Sequence, residues 1–468
     1  MVNGGLSRFG PLAAAVVAAP LGALAILLAY RTNPAVPLAA LGGVGVILLA
    51  YFRPLAGVLL ALALVPLEVF AFTLGPVGLG PSEAVFVVTG YAWAAKRLGA
   101  GLTPWAPSQI SRPIALLWVA GLPGVLVAED PVSTIRFLVV WGAFILVMML
   151  IAVEADLPAI RTLLFGLAMT AAVVGATAAV GVSGQQQKLS ATGDTATGRA
   201  DGAFGDPNIL ATFLAMALPA ALLVAVGGRW RRRPLAIIAV GVIFFGLALS
   251  LSRGGFLAAF GALLVMLGWA PLRRIAAAAA VGLVLLTVLN ANPLAGTQQV
   301  RTVVNRVSSV RQQSGSQTDQ RGLIYSETPK MIADYWVTGV GALNYPNVAP
   351  RYGIIDPQTG ETFDHAHNIP LTIGAEFGFL GLIALVWLVI ALGRMLIAAC
   401  RRRAGRPREL GFAVTGALVA LGLQGIVDFT LRSNIIAAVA FVILGALVAI
   451  THAAHATEPA GPALRSGA

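Results

Sequence analysis

Long apolar runs alternate with short polar breaks along almost the whole chain. The runs cover residues 11–30, 35–52, 54–74, 81–97, 112–128, 131–152, 158–182, 207–227, 234–251, 254–270, 273–290, 367–397, 410–428 and 434–452. Many approach the ~20 residues that an α-helix needs to cross the hydrocarbon of a bilayer. The pattern predicts an all-α polytopic membrane protein with about 12–14 transmembrane helices. The short pair 234–251/254–270 can also be read as re-entrant. A membrane β-barrel is excluded, because its strands would be short and alternating. The first run follows Arg8 like a signal peptide, but it is long for one and further spans follow at once, so it reads as a retained span. No internal repeat of the kind that marks many transporters is visible.

Two polar stretches are long, Ser183 to Asp206 and Asn290 to Asp364. Loops of that length are functional or disordered. Within the second, Arg321 to Trp336 is amphipathic and predicts a short helix, and Gly339-Val340-Gly341-Ala342-Leu343-Asn344-Tyr345-Pro346 predicts turns. The tail 456–468 is small and polar and is expected to be disordered. Placing the amino terminus inside puts the dense clusters inside, namely Arg229 to Arg233, Arg273-Arg274 and Arg401 to Arg403. That satisfies the positive-inside rule. Arg136, Arg199, Arg253, Arg301, Arg306, Arg311, Arg321, Lys330, Arg351 and Arg432 then fall outside, where orientation does not explain them.

Composition agrees with a membrane location. The 468 residues are 58% apolar and only 11% charged, with mean hydropathy +0.86. A soluble domain would carry about a quarter charged residues. A net charge of +12 and a pI near 10.8 would suggest nucleic acid in a soluble protein, but here arginines flank spans and no separate basic domain exists to bind a duplex. The single cysteine, Cys400, leaves the large loop without a disulfide.

Candidate chemistry gathers where the second polar stretch re-enters the membrane, at Asp364-His365-Ala366-His367-Asn368-Ile369-Pro370. A histidine at a water-facing helix entrance can serve as a general base near neutral pH. It can equally be a polar boundary residue beside the helix-starting Asn368 and Pro370, and spacing leaves both readings open. His365 is weaker, because alternate residues of an extended entry point in opposite directions. Asp364, His365 and His367 could bind a metal, but no further Cys or His lies nearby in sequence, so the expectation is no metal. Arg253, in Ser252-Arg253-Gly254-Gly255 between two apolar runs, needs an anionic partner, although a short turn with a snorkelling side chain would also serve. Arg199 and Arg321 read alone as solvated charges; Arg136 lies one turn into its span, and Arg432 opens the last one. Asp206 or Asn208 should cap the span that follows. Glu376 sits deep in an apolar run, too far along the helix from His367 to share its proton, and should pair with an arginine or brace the site. Glu68 and Glu83, near outer span ends, carry the same plain reading. Together, several outer arginines suit one polyanion, since the guanidinium fork matches phosphate oxygens.

In order and spacing these residues resemble the O-antigen ligase and Wzy-type polymerase superfamily. The resemblance rests on Arg199 with Gly202-Ala203-Phe204-Gly205-Asp206-Pro207-Asn208, Leu251-Ser252-Arg253-Gly254, Arg321 with Gly339-Val340-Gly341, and His367-Asn368-Ile369-Pro370-Leu371 with Glu376-Phe377-Gly378. It implies a GT-C-like membrane fold with one large extracytoplasmic loop, 290–364. The domains would be a scaffold over 1–190, a catalytic membrane region over 191–455 and the tail 456–468. The implied activity is a metal-independent, inverting glycosyltransferase without cofactor, at the outer face of the bacterial cytoplasmic membrane. Its donor would be a glycan on undecaprenyl diphosphate, and its acceptor lipid A-core or a second glycan. His367 would be catalytic, Arg199, Arg253 and Arg321 would hold the diphosphate, and Asn368, Glu376, His365 and Arg136 would support them. A ligase is the first expectation and a polymerase the second. An anion transporter would use the same arginines as a funnel; against it, no charged series crosses the membrane midplane.

Overall fold

The structure, a computed structural model, describes residues 35–70, 72–74, 77–192, 200–227, 231–273, 316–356, 360, 362–401 and 405–455. The spans expected at 11–30 and 273–290, most of the loop up to residue 315, Arg199 and the tail lie outside these residues. The remaining predicted spans all form helices: α1 (Ala35–Phe52), α2 (Pro54–Leu64, continued by a 3₁₀ turn Val65–Phe70), α3 (Pro81–Gly99), α4 (Ser111–Ala120), the one-turn α5 (Gly124–Val127), α6 (Pro131–Glu154), α7 (Leu157–Thr192), α8 (Pro207–Gly227), α9 (Arg233–Ser250) and α10 (Arg253–Met266). After the large loop come α11 (Ser316–Asp334), α12 (Tyr345–Val348), α13 (Ile369–Arg401), α14 (Arg406–Val427) and α15 (Asn434–His455). A two-stranded hairpin, β1 (Phe72–Leu74) and β2 (Val77–Leu79), joins α2 to α3. Among the described residues seven helices are long and apolar enough to cross a membrane, and four shorter apolar helices accompany them. The molecule is an all-α polytopic membrane protein.

Helix starts follow local chemistry. Proline occupies the first turn of α2, α3, α6 and α9, where its missing N–H costs nothing. Asp130 caps α6, accepting from the amides of Val132 and Ser133, and Asp206 caps α8 through Asn208 and Ile209. Among the boundaries that differ from expectation, the run 54–74 is α-helical only to Leu64, 112–128 breaks after Ala120, and α7 continues to Thr192, so the first residues of the polar stretch 183–206 are helical. The run Gln185-Gln186-Gln187-Lys188-Leu189 consists of good helix formers, and polarity alone does not end a helix.

Two helices form the centre. The apolar windows of α8 and α15 are 89% and 94% buried, against 22% for α13. α8 is apolar all round, as a surrounded helix should be, and packs on α7, α9, α10 and α14. α14 reaches it closely because Gly416 has no side chain: a Cβ there would lie 2.9 Å from the Pro219 ring. α15 packs on α6 and α14, and α13 packs on α4, α14, α11 and α15 while much of its surface stays exposed.

The large loop is locked to α13 by a break in that helix. Gly378 has φ 62° and ψ −155°, a conformation open essentially to glycine alone. The turn 335–341 fills the gap. The amides of Val340 and Gly341 donate to the carbonyls of Ala375 (2.8 Å) and Glu376 (3.1 Å), and the Phe379 amide donates to Trp336 (2.7 Å). Carbonyls freed by the break are thereby satisfied. Gly339, at φ +66°, lies so close that a Cβ would stand 2.3 Å from the Glu376 carbonyl carbon. On its far side the loop is held by buried Asn344, which bonds the backbone of Asp130 in both directions and the Thr134 hydroxyl.

Candidate active site

The segment before α13 is pinned to the end of α14. Asn368 starts α13: its Oδ1 accepts from the Leu371 amide at 3.1 Å, and its Nδ2 donates to the Ile426 carbonyl at 3.1 Å. Ile369 fills the notch at Gly425, where a Cβ would lie 2.2 Å from its Cδ1. His367 itself has φ +50°, an uncommon left-handed conformation for a non-glycine residue. That turn corrects the expectation for His365. The chain curls instead of running extended, so the two rings converge with centroids 4.4 Å apart. The His367 amide donates to His365 Nδ1 at 3.0 Å.

Both rings face Asp428, an acid the sequence reading left out of the site. Asp428 ends α14 in extended conformation, with 6% of its surface exposed. Its Oδ1 lies 3.2 Å from His367 Nδ1 and 3.7 Å from His365 Nε2. It also accepts from the Phe429 amide at 2.9 Å. A carboxylate only accepts, so Nδ1 of His367 carries the hydrogen and Nε2 presents its lone pair. Nε2 makes no hydrogen bond among the described residues. Asp428 and His365 lie just outside the membrane-crossing helices. Burial raises the Asp428 carboxyl, but the hydrogen bond from His367 and the charges of both histidines and Arg321 outweigh it, and its pKa lies below the ordinary value. Burial, and then the charge of His367, push the His365 pKa down to about 3 against the pull of Asp428. His365 is therefore a neutral neighbour at physiological pH.

The arginines divide. Arg321, on α11, acts electrostatically on both Asp428 and His365, and Arg432 acts on His365. Arg253 opens α10 after Leu251 (φ 49°) and Ser252. The Ser252 hydroxyl accepts from the Gly255 amide and donates to Asn208 Oδ1 at 2.9 Å. Gly254 lies against the last turn of α14: a Cβ on it would stand 2.4 Å from Gln424 Oε1. The Arg253 turn therefore abuts Gln424, one helical turn before Asp428. Arg253 is exposed and has no hydrogen-bond or ion-pair partner among the described residues. Gln424 is 1% exposed, with Oε1 unpartnered. Glu376, buried, lies 3.7 Å from Arg432. Arg136 belongs to a separate cluster, acting on Glu83, which takes a 2.7 Å hydrogen bond from Asn434.

His365, His367 and Asp428 also form a potential metal-ligand group, with one ligand atom from each within 4.8 Å of the others. The sequence reading lacked this third ligand because it comes from another helix. In the structure His367 Nδ1 and the Asp428 carboxylate hydrogen-bond each other. The one sequence signal for Asp428 was a carboxylate closing the apolar run 410–428, where an unpaired charge is costly.

No curated protein matches the chain. Residues 238–386 match the family model described as O-antigen ligase. The matched stretch contains Arg253, Arg321, the docked turn and His367, while Asp428 and Arg432 follow it. Over residues 238–386 this membrane protein is thus similar to the O-antigen ligase family.

Proposed function

We propose that the chain is a membrane glycosyltransferase that moves a glycan from undecaprenyl diphosphate to an acceptor hydroxyl on the outer face of the bacterial cytoplasmic membrane. The observation that carries this is the His367–Asp428 pair, with Nε2 of His367 making no hydrogen bond among the described residues, Arg321 acting on Asp428, and the Arg253 turn packed against Gln424 one helical turn before that acid. The acceptor O–H donates to Nε2, its oxygen bonds to the anomeric carbon from the opposite face, and the bond from that carbon to the diphosphate oxygen breaks. The electron pair leaves with the lipid diphosphate, the anomeric centre inverts, and the imidazolium is held by Asp428. Arg253 and Arg321, with Arg199, take up the charge growing on the leaving group. No metal or cofactor enters this reaction.

An apolar cavity of about 180 Å³ is lined by Ile369, two residues from His367, together with Ile373, Phe377, Trp141 and Phe441. Such a lining suits an isoprenoid chain. The preferred acceptor is lipid A-core, which makes the protein an O-antigen ligase. The test is transfer by purified protein from a lipid-diphosphate oligosaccharide, with and without chelator, offered lipid A-core or a second lipid-linked glycan. Transfer to lipid A-core that survives chelation supports the proposal. Transfer only to the second glycan would make it a polymerase, and loss on chelation would point to a cation on His365, His367 and Asp428.

A further inference from the structure

At the end of the molecule remote from His367, a cavity of about 630 Å³ opens between α13 and the loop leading into α4. Its lining includes Ser108, Gln109, Arg112, Trp387, Ile390 and Arg394. Arg394 lies roughly 24 Å along the helix axis from the break at Gly378, across most of the hydrocarbon thickness. Trp387, Ile390 and Arg394 recur at helical spacing and share one face of α13. That face is open, with Trp387 43% and Ile390 50% exposed. Arg112 faces the same cavity from α4, which packs on α13. The loop is fixed by the Ser111 hydroxyl, which donates to the Ala106 carbonyl at 2.7 Å and bonds the Ser108 hydroxyl at 2.7 Å. None of the lining residues is acidic. Neither guanidinium has a hydrogen-bond or ion-pair partner among the described residues. Three other arginines at this end are engaged: Arg161 donates to the Gly227 carbonyl, Arg97 to that of Thr103, and Arg273 to that of Leu267.

We propose that this cavity binds the headgroup phosphate of an anionic phospholipid, from the leaflet opposite to the histidine cluster, between Arg112 and Arg394. The acyl chain lies along Ile390 and Trp387. Two free guanidiniums without a competing carboxylate supply the charge complementarity, with fork geometry suited to phosphate oxygens. The exposed aromatic and aliphatic stripe directly beside them supplies the surface a lipid tail requires, and a soluble anion would have no use for it. Polar groups at the cavity mouth, Ser108 and Gln109, face the glycerol or headgroup hydroxyls.

The experiment is native mass spectrometry of the full-length protein in detergent, titrated with phosphatidylglycerol, with phosphatidylcholine of the same chains, and with inorganic phosphate. The expected result is preferential binding of phosphatidylglycerol, weakened about fivefold by Arg112→Gln or Arg394→Gln, as for one surface arginine near anionic lipid. Arg273→Gln removes the same charge at the same end and should change nothing. Equal weakening by Arg273→Gln, or none by Arg112→Gln, would overturn the site. Inorganic phosphate binding as tightly as the lipid, with the same arginine dependence, would overturn the lipid assignment. Arg112 is exposed at the start of a helix, so its variant keeps the test available should Arg394→Gln fail to fold.

Discussion

His367 Nδ1 lies 3.2 Å from Asp428 Oδ1, a pairing between residues on two different helix ends. Asp428→Asn keeps the shape and removes the charge that holds the imidazolium. We expect glycan transfer to fall by roughly two orders of magnitude, and by two to four for His367→Ala. Because the two act as a unit, the double variant should be no slower than His367→Ala alone. Additive losses in single-turnover assays would show that Asp428 acts separately.

For the donor, Arg253→Lys keeps the charge but loses the fork. Binding of lipid diphosphate should weaken roughly tenfold, as for a lost charge-assisted hydrogen bond, and Arg321→Ala should act in the same direction. Binding measured by fluorescence or calorimetry that is unchanged in both would place the diphosphate elsewhere.

The depressed pKa of His365 carries a stability consequence. Its ordinary value is near 6.5, and in the fold it is pushed down to about 3. Below pH 6.5 the unfolded chain takes up a proton that the native chain refuses, so stability is full above 6.5 and declines as pH falls towards 3. Asp428, also depressed, adds loss in the same direction at the acid end. Thermal unfolding in detergent should show a lower midpoint at pH 5 than at pH 7, with a smaller difference in His365→Gln. An equal difference in that variant would remove His365 as the cause.

Gly378→Ala places a Cβ 2.8 Å from the Gly339 amide and the carbonyls of Trp336 and Val337, at a positive φ. The expected cost is about 1–3 kcal/mol of stability, together with loss of transfer, although residue 378 is remote from the chemistry. Wild-type melting and activity in this variant would mean that the docked turn is dispensable.

Orientation is open to direct test. Reporters fused at Gly353 and at Gly405 should give opposite signals, with Gly353 outside, because the dense arginine clusters lie at the Gly405 end. Matching signals would remove the outer-face placement of His367.

The helices were legible because each apolar run ends in proline, a capping Asp or Asn, or a charge, and those residues act locally. Asp206 and Asn368 cap as expected for the same reason. Asp428 was not legible as a partner, since its meeting with His367 spans two helices and no sequence spacing encodes it. His365 was undervalued because an extended entry was assumed, and only the turn of α13 onto α14 imposes the positive φ at His367. Gly378 was likewise silent. Glycine is ordinary in membrane helices, and its special conformation becomes necessary only where residues 335–341 dock.

That docking has a mechanical consequence. The turn 335–341 is stitched into the backbone of α13 and, through Asn344, to the start of α6. This half of the large loop is thus a fixed wall, and it cannot swing as a lid without unmaking hydrogen bonds inside a membrane helix.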